Sequence, residues 1–226
     1  MNAELQDKTL TLITRLESLL GREHVLTDAV ERSFYSTDIY KTGALPAAVV
    51  RPTNAADVAQ VVQLAVAAGV AVVPRGGGAS YTDGYTPTEV GSISIDTSRM
   101  NQILEINERD MYVVVQVGVT WASLNEALSA KGLRTPFFGP FSGLAATVGG
   151  SLSQGSVTWG TGVFGVSGET TLGVEVVLGT GQIVRTGSWG AANSAPFFRS
   201  YGPDLTGLFM GDCGALGIKT AVLCDS

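Results

Sequence analysis

The spacing of apolar residues along this chain changes several times, and each change marks an element. Leu5, Leu12, Ile13, Leu16, Leu19 and Leu20 recur at the spacing of one helix face, and Gly21 stands where such a helix would end. A second short helix is expected from Asp28 to about Tyr35, and Ala47 to Val50 reads as a short strand stopped by Arg51-Pro52. From Asn54, a good N-cap with Asp57 in the first turn, the residues Val58, Val61, Val62, Ala65 and Val66 form an apolar helix face closed by Gly69. Val70 to Val73 follows as a buried strand, so this stretch is a strand–helix–strand unit.

Further strands are expected at Ile93 to Ile95, Ile103 to Ile106 and Val113 to Val117. Thr120 then caps a helix through Leu128 that Gly132 ends. Val174 to Leu178 and Gln182 to Arg185 form a hairpin around Gly179-Thr180-Gly181, Leu205 to Met210 a helical turn, and Gly217 to Leu223 a last strand. The class is α+β, interrupted by two loop-rich stretches at residues 74–87 and 136–168.

Those two stretches carry the candidate chemistry. In the first, Pro74-Arg75-Gly76-Gly77-Gly78-Ala79-Ser80 directly follows a strand. Three consecutive glycines keep every Cβ away from the backbone, so successive N–H groups can converge on one anion. Ser80 adds a hydroxyl, Arg75 a charge at the rim, and a diphosphate is the natural guest. An ordinary glycine-rich turn has the same letters; the strand-Pro-Arg before it and Ser80-Tyr81 after it favour the anion nest. The second stretch, Pro140-Phe141-Ser142-Gly143-Leu144-Ala145-Ala146-Thr147-Val148-Gly149-Gly150, again brings bare backbone toward a flat ligand, with Ser142 and Thr147 as side-chain donors. Ser153, Gly155, Ser156 and Gly160 continue the small polar lining.

Composition narrows the picture. The 29 glycines in 226 residues are nearly twice the usual share of about 7%, and they cluster without a repeat. A net charge of −6 with no basic cluster disfavours nucleic acid and anionic membranes as partners. The longest apolar run, Leu64 to Pro74, is too short to span a bilayer, and residues 1–20 lack the apolar core of a signal peptide. Two cysteines, Cys213 and Cys224, form neither a disulfide framework nor a metal site and fit a reducing, cytoplasmic compartment. No metal site is expected.

Residues 46–85, running from "PAAVVRP" to "PRGGGASYTDGY", resemble the vanillyl-alcohol oxidase / p-cresol methylhydroxylase-type (PCMH-type) FAD-linked oxidase family, whose PRGGGxS loop wraps the FAD pyrophosphate. The loop is most similar to the glycolate oxidase and D-lactate dehydrogenase branch. Thr147, Gly149 and Gly150 match that family's TxGG segment along the flavin and ribityl chain, and residues 153–160 match it loosely. The stretches "VEVVLGTGQIVRTG" (174–187) and "YGPDLTGLF" (201–209) followed by "CGALGI" (213–218) resemble the phenol-oxidising branch. There the Gly-Ile pair, here Gly217-Ile218, contacts the adenine end. The resemblance implies the PCMH-type fold: two α/β subdomains with FAD between them, placed at about 46–117 and 118–226 after a helical lead-in over 1–45.

Other signals are weaker. Gly160-Thr161-Gly162-Val163-Phe164-Gly165 fits a dinucleotide fingerprint by letters, but it follows no clear strand, opens no clear helix, and has Arg185 where an acid belongs. His24, the only histidine, is expected on the surface, and Cys213 is expected to be small and buried. With no histidine or cysteine in the 75–80 loop, FAD is expected to be held non-covalently by this chain. Tyr81 packs on the cofactor or anchors the loop beside Asp83, Trp121 belongs to a helix–core contact, and Trp159 and Trp189 face a further domain. The resemblance implies an FAD-dependent oxidase or dehydrogenase taking a hydride from a hydroxy acid or an alcohol, phenols included. The family's substrate domain is absent from these residues, so no catalytic residue is nominated. The alternative is a flavin-binding subunit that needs a partner chain. A homo-oligomer is left open.

Overall fold

The computed structural model describes residues 3–226 except Phe138, Phe141 and Tyr201; the last two fall within motifs quoted above and lie outside the described residues. Helix α1 (Ala3–Leu20) lays Leu12 and Leu16 into the core and ends at Gly21, whose φ of 90° favours glycine. Strand β1 (Val25–Leu26) leads to α2 (Ala29–Tyr35), capped by Asp28, which accepts from the amides of Val30 and Glu31. Then come β2 (Ala48–Val50), α3 (Ala55–Ala68), β3 (Val72–Arg75) and β4 (Ile93–Asp96). Asn54 caps α3 through the amide of Asp57, and Gly69 ends it in the left-handed conformation at φ 68°.

The first sheet has the order β1-β2-β4-β3, with β1 antiparallel and the other three parallel. The expected strand–helix–strand unit is present, but β2 and β3 do not touch. β4 lies between them, with Ser94 in register with both Val49 and Val73. β3 is therefore an edge strand, and Val72 to Pro74 are half-buried rather than the buried run the sequence suggested. The first 45 residues contribute one strand to this sheet: β1 pairs with β2, and Val25 joins the core.

The second sheet comprises β5 (Ile103–Asn107), β6 (Tyr112–Gln116), β7 (Thr171–Val177), β8 (Ile183–Arg185) and β9 (Ile218–Asp225). Its order is β5-β6-β9-β7-β8, antiparallel throughout, with β9 central. The β7–β8 hairpin closes through the amide of Leu178 on the Gln182 carbonyl, as its glycines indicated. Between β6 and β7 lie α4 (Trp121–Ser129), capped by Thr120, and two helices the sequence did not reveal, α5 (Val148–Gln154) and α6 (Thr161–Phe164). Gly160 thus precedes a single helical turn, so the fingerprint letters do open a short helix, though no strand precedes them. One apolar core joins both sheets, from Leu16, Val58 and Ile93 through Val115 and Leu124 to Val174 and Val222. Among the described residues no helix is long and apolar enough to cross a membrane.

Candidate functional site

A cleft of about 420 Å³ opens beyond the carboxyl ends of β3 and β4, where parallel strands characteristically present ligands. Its walls are residues 74–82 at the end of β3 and beyond, residues Ala146, Thr147, Gly149 and Gly150 with part of α5, and Cys213, Gly214 and Gly217 with the start of β9. The two glycine stretches, 70 residues apart in the chain, therefore face one space.

The first loop keeps its amides free. Among the described residues, the N–H groups of 77–81 donate to no protein acceptor, while the carbonyls of Gly78 and Ser80 both accept from the Tyr85 hydroxyl at 2.8 Å. Tyr85 thus fixes a cleft-lining loop whose N–H groups remain unclaimed by protein, as an anion nest requires. The Ser80 hydroxyl is occupied differently: it shares a hydrogen bond with the Thr82 hydroxyl, which donates at 2.5 Å to Gln154 at the end of α5. The two lips of the cleft are tied at that point.

The glycines serve a purpose the sequence did not disclose. A Cβ on Gly76 would lie 2.6 Å from Thr147 Oγ1, and one on Gly77 would lie 2.6 Å from the Ala145 carbonyl carbon. Gly78 has φ 64°, and its Cβ would meet the Arg75 guanidinium at 2.5 Å. Bare backbone is needed here because the first loop seats directly on the second, and this seating leaves the amide edge open.

The second loop behaves differently from the expectation. Its amides are claimed by protein: Val148 N–H donates to the Val119 carbonyl, Gly149 N–H to Val117, and Gly150 N–H to Thr147 Oγ1. Thr147 is the N-cap of α5: its hydroxyl oxygen accepts from the Gly150 amide, which leaves the hydroxyl proton to donate. Gly149 is glycine because a Cβ would press on Val117 at 2.5 Å. The backbone of this wall offers shape, and the backbone of the first loop offers donors.

Of the other expected residues, Pro74, Ala79, Tyr81, Pro140, Ser142, Ser153, Ser156, Gly217 and Ile218 all line the cleft. Three do not. Val148 is buried in the core, Gly143 packs against Trp121 and the Pro140 carbonyl, and Gly160 packs on Pro136 and Phe137. Ile218 opens β9 in register with Val177 and also borders a second recess of about 260 Å³, lined by Val62, Val72 and Leu178, behind the 213–217 segment.

Arg75 is not a rim charge. It is 5% exposed, donates to the carbonyls of Tyr35 and Thr37, and stacks 4.6 Å from the Tyr85 ring centroid and about 5 Å from Phe34 and Tyr35. Burial holds its pKa below the ordinary arginine value, with Tyr85, Tyr35 and Asp96 opposing the shift. It ties the base of the loop to the end of α2. The sequence offered no sign of this cage, because Phe34 and Tyr35 precede the loop by 40 residues.

Several single residues also depart from expectation. Cys213 is exposed, has φ 52°, and lines the cleft beside Gly84; it is neither buried nor remote from the first loop. His24 is half-buried, with its side chain 18% exposed. Trp159 is exposed, but Trp189 packs on the outer face of the second sheet and stacks on Arg185. Trp121 is buried as expected, its indole N–H donating to Ser151 at 2.7 Å. Asp83 anchors its loop through Lys41 and Thr86, and Tyr81 stands exposed against Tyr40. The residues missed include Tyr85, Thr82 and Gln154, which fix the first loop, and Lys219, a buried cation in the cleft wall paired with Asp212 at 2.6 Å. The signal of Lys219 was a cation leading into the apolar run Ala221 to Cys224 of β9.

A cleft walled by two interlocked glycine loops, one presenting a run of free amides, fits a dinucleotide carrying a diphosphate. The chain belongs to the FAD binding domain family, whose model matches residues 46–187. Within that class it is 36% identical over 191 residues to glycolate oxidase subunit GlcD of Bacillus subtilis, covering 84% of this chain and 38% of that protein. It is 31% identical over 217 residues to a mitochondrial D-lactate dehydrogenase (cytochrome) of Arabidopsis thaliana, covering 93% of this chain and 36% of the relative. The fold matches the crystal structure of p-cresol methylhydroxylase with a TM-score of 0.87 at 24% identity, over 97% of this chain and 43% of that one. The PCMH-type fold expected from the sequence is thus the fold found. The chain spans well under half the length of these relatives.

Proposed function

We propose that this chain is the FAD-binding part of a flavin-dependent oxidoreductase acting on a 2-hydroxy acid. The observation that carries the reading is the run of acceptor-free amides at 77–81, in a loop that lines a cleft shared with Thr147, Gly149 and Gly150. Bound there, FAD would supply hydride acceptance, and the chain would supply binding, orientation and electrostatics. The amides of residues 77–81 would hold the diphosphate non-covalently. The wall from Thr147 to Gly150 would lie against the flavin and ribityl arm, and Gly217 and Ile218 would lie beside the adenine end. The relatives named for glycolate and D-lactate support a hydroxy acid over a phenol, because the phenol-oxidising neighbours resemble the chain at the level of fold.

No group in the cleft is assigned as acid or base. Its titratable side chains among the described residues are Arg75, Tyr81, Tyr85, Cys213 and Lys219, and none is paired with a carboxylate–imidazole or similar relay. Exposed Leu144, Val157, Trp159 and Val163 beside the second loop favour a second reading, in which this chain binds flavin but acts only with a further domain or partner chain. The deciding experiment is a visible spectrum of the purified protein, repeated under anaerobic glycolate, D-lactate or a phenol. Flavin bands that bleach with a hydroxy acid support the first reading. Bands inert to every substrate until another chain is added support the second. A colourless protein that takes up no FAD refutes both.

A further inference from the structure

We propose that Lys219 is a cofactor-recognition residue whose ammonium, clamped by Asp212 and Ser153 in the cleft wall, meets the diphosphate of the dinucleotide. The inference rests on the FAD reading above and adds to it a charged residue outside both glycine loops. Lys219 lies inside the central strand of the second sheet and is 4% exposed. Burying an ammonium in a sheet is costly, and an apolar residue of similar volume is often as stable or more so, so stability alone does not account for it.

Its hydrogen bonds show what remains available. Nζ donates to Asp212 Oδ1 at 2.6 Å and to Ser153 Oγ at 3.0 Å. An ammonium has three protons, and the third has no protein acceptor among the described residues. Asp212 does not simply cancel the charge, because its carboxylate also accepts from the amides of Gly214 and Leu216, at 3.0 and 3.4 Å. It orients the ammonium while pinning the 212–216 segment of the wall. Burial pulls the Lys219 pKa below its ordinary value, and Asp212 opposes that pull.

The alternative cation is engaged elsewhere. Among the described residues, Arg75 and Lys219 are the only cations lining the cleft, and no carboxylate lines it. The Arg75 guanidinium stacks on aromatic rings and gives Nη1 to two carbonyls, whereas Lys219 carries its charge in the opposite wall, at β9. Neutral amides at 77–81 supply partial charges, and a charge-assisted donor strengthens the site beyond them.

The test is calorimetric titration of the full chain, freed of cofactor, with FAD, ADP and riboflavin, which lacks phosphate. Lys219→Met should weaken FAD and ADP by on the order of 10- to 100-fold, the loss of one charge-assisted hydrogen bond, and leave riboflavin unchanged. Asp212→Asn, which removes the negative neighbour, should hold or raise ADP affinity. Equal FAD affinity in wild type and Lys219→Met overturns the proposal, as does a matching loss for riboflavin. If Lys219→Met does not fold, Asp212→Asn decides: a large loss of ADP affinity in that variant makes the pair a structural brace and refutes the role. Wild-type protein that binds no FAD overturns the underlying reading as well, and is distinguished by that first titration.

Discussion

Gly77→Ala tests the way the two loops are interlocked. The added Cβ would sit 2.6 Å from the Ala145 carbonyl carbon, inside that carbonyl oxygen's van der Waals shell, and 3.4 Å from Ala146 Cα. Carbon pairs are at their optimum about 3.5–4.0 Å apart, and the carbonyl oxygen is nearer still, so the loops must separate by more than about 1 Å at this point. Both partners are backbone, so no side chain can rotate away. Overpacking of this kind costs about 1–3 kcal/mol. The separation also displaces the amides of 77–81 from the wall at Thr147, so FAD should bind on the order of 10-fold more weakly or worse. Gly179→Ala and Gly162→Ala are the controls, since neither has an atom within 4 Å of the new Cβ or a positive φ. Denaturant unfolding and FAD titration of the three variants give the answer. Gly77→Ala with wild-type midpoint and wild-type FAD affinity would refute the packing argument outright.

Tyr35→Phe removes the donor that Asp96 Oδ2 accepts at 2.7 Å, leaving part of a buried carboxylate unpaired beside Arg75. It should cost about 1–3 kcal/mol in denaturant unfolding, and an unchanged midpoint would show that Asp96 finds another partner. A thiol reagent on the native protein should label Cys213, which is exposed, and spare Cys224, whose burial pushes its pKa up to about 12. Bound FAD should slow that labelling because Cys213 lines the cleft, and two equally fast thiols would contradict the placement. Hydrogen bonds from Arg199 hold the Asp204 carboxyl below its ordinary value. A depressed carboxylate stabilises the fold above the unfolded-state value, and that contribution is lost as pH falls through the folded one. Asp204→Asn should therefore flatten the acid limb of the stability–pH curve, and an identical limb would remove Asp204 from that account.

What the sequence made legible was governed by neighbours along the chain. Asn54, Asp57 and Gly69 announce α3 because capping and the left-handed C-terminal residue are local chemistry. The hairpin at 179–181 is readable for the same reason. α5 escaped because Gly149 and Gly150 are poor helix formers, and its stability comes from the Thr147 cap and the burial of Val148 and Leu152. β3 looked buried because its apolar run is genuine, but β4, arriving twenty residues later, takes the central place. The glycine loops were correctly seen as sites of close approach. The partner seen in that approach is the other loop, and no local pattern encodes a contact between residues 77 and 145. Arg75 and Lys219 were misread or missed because a cation's role depends on which distant rings or carboxylates surround it.

The account depends on the diphosphate lying against the amides of residues 77–81. A diffraction structure of the protein crystallised with FAD tests this most directly. It should show the phosphate oxygens within hydrogen-bonding distance of those N–H groups, with the flavin extending along Thr147 to Gly150. FAD bound at another surface, or a first loop whose amides turn away from the phosphates, would contradict it.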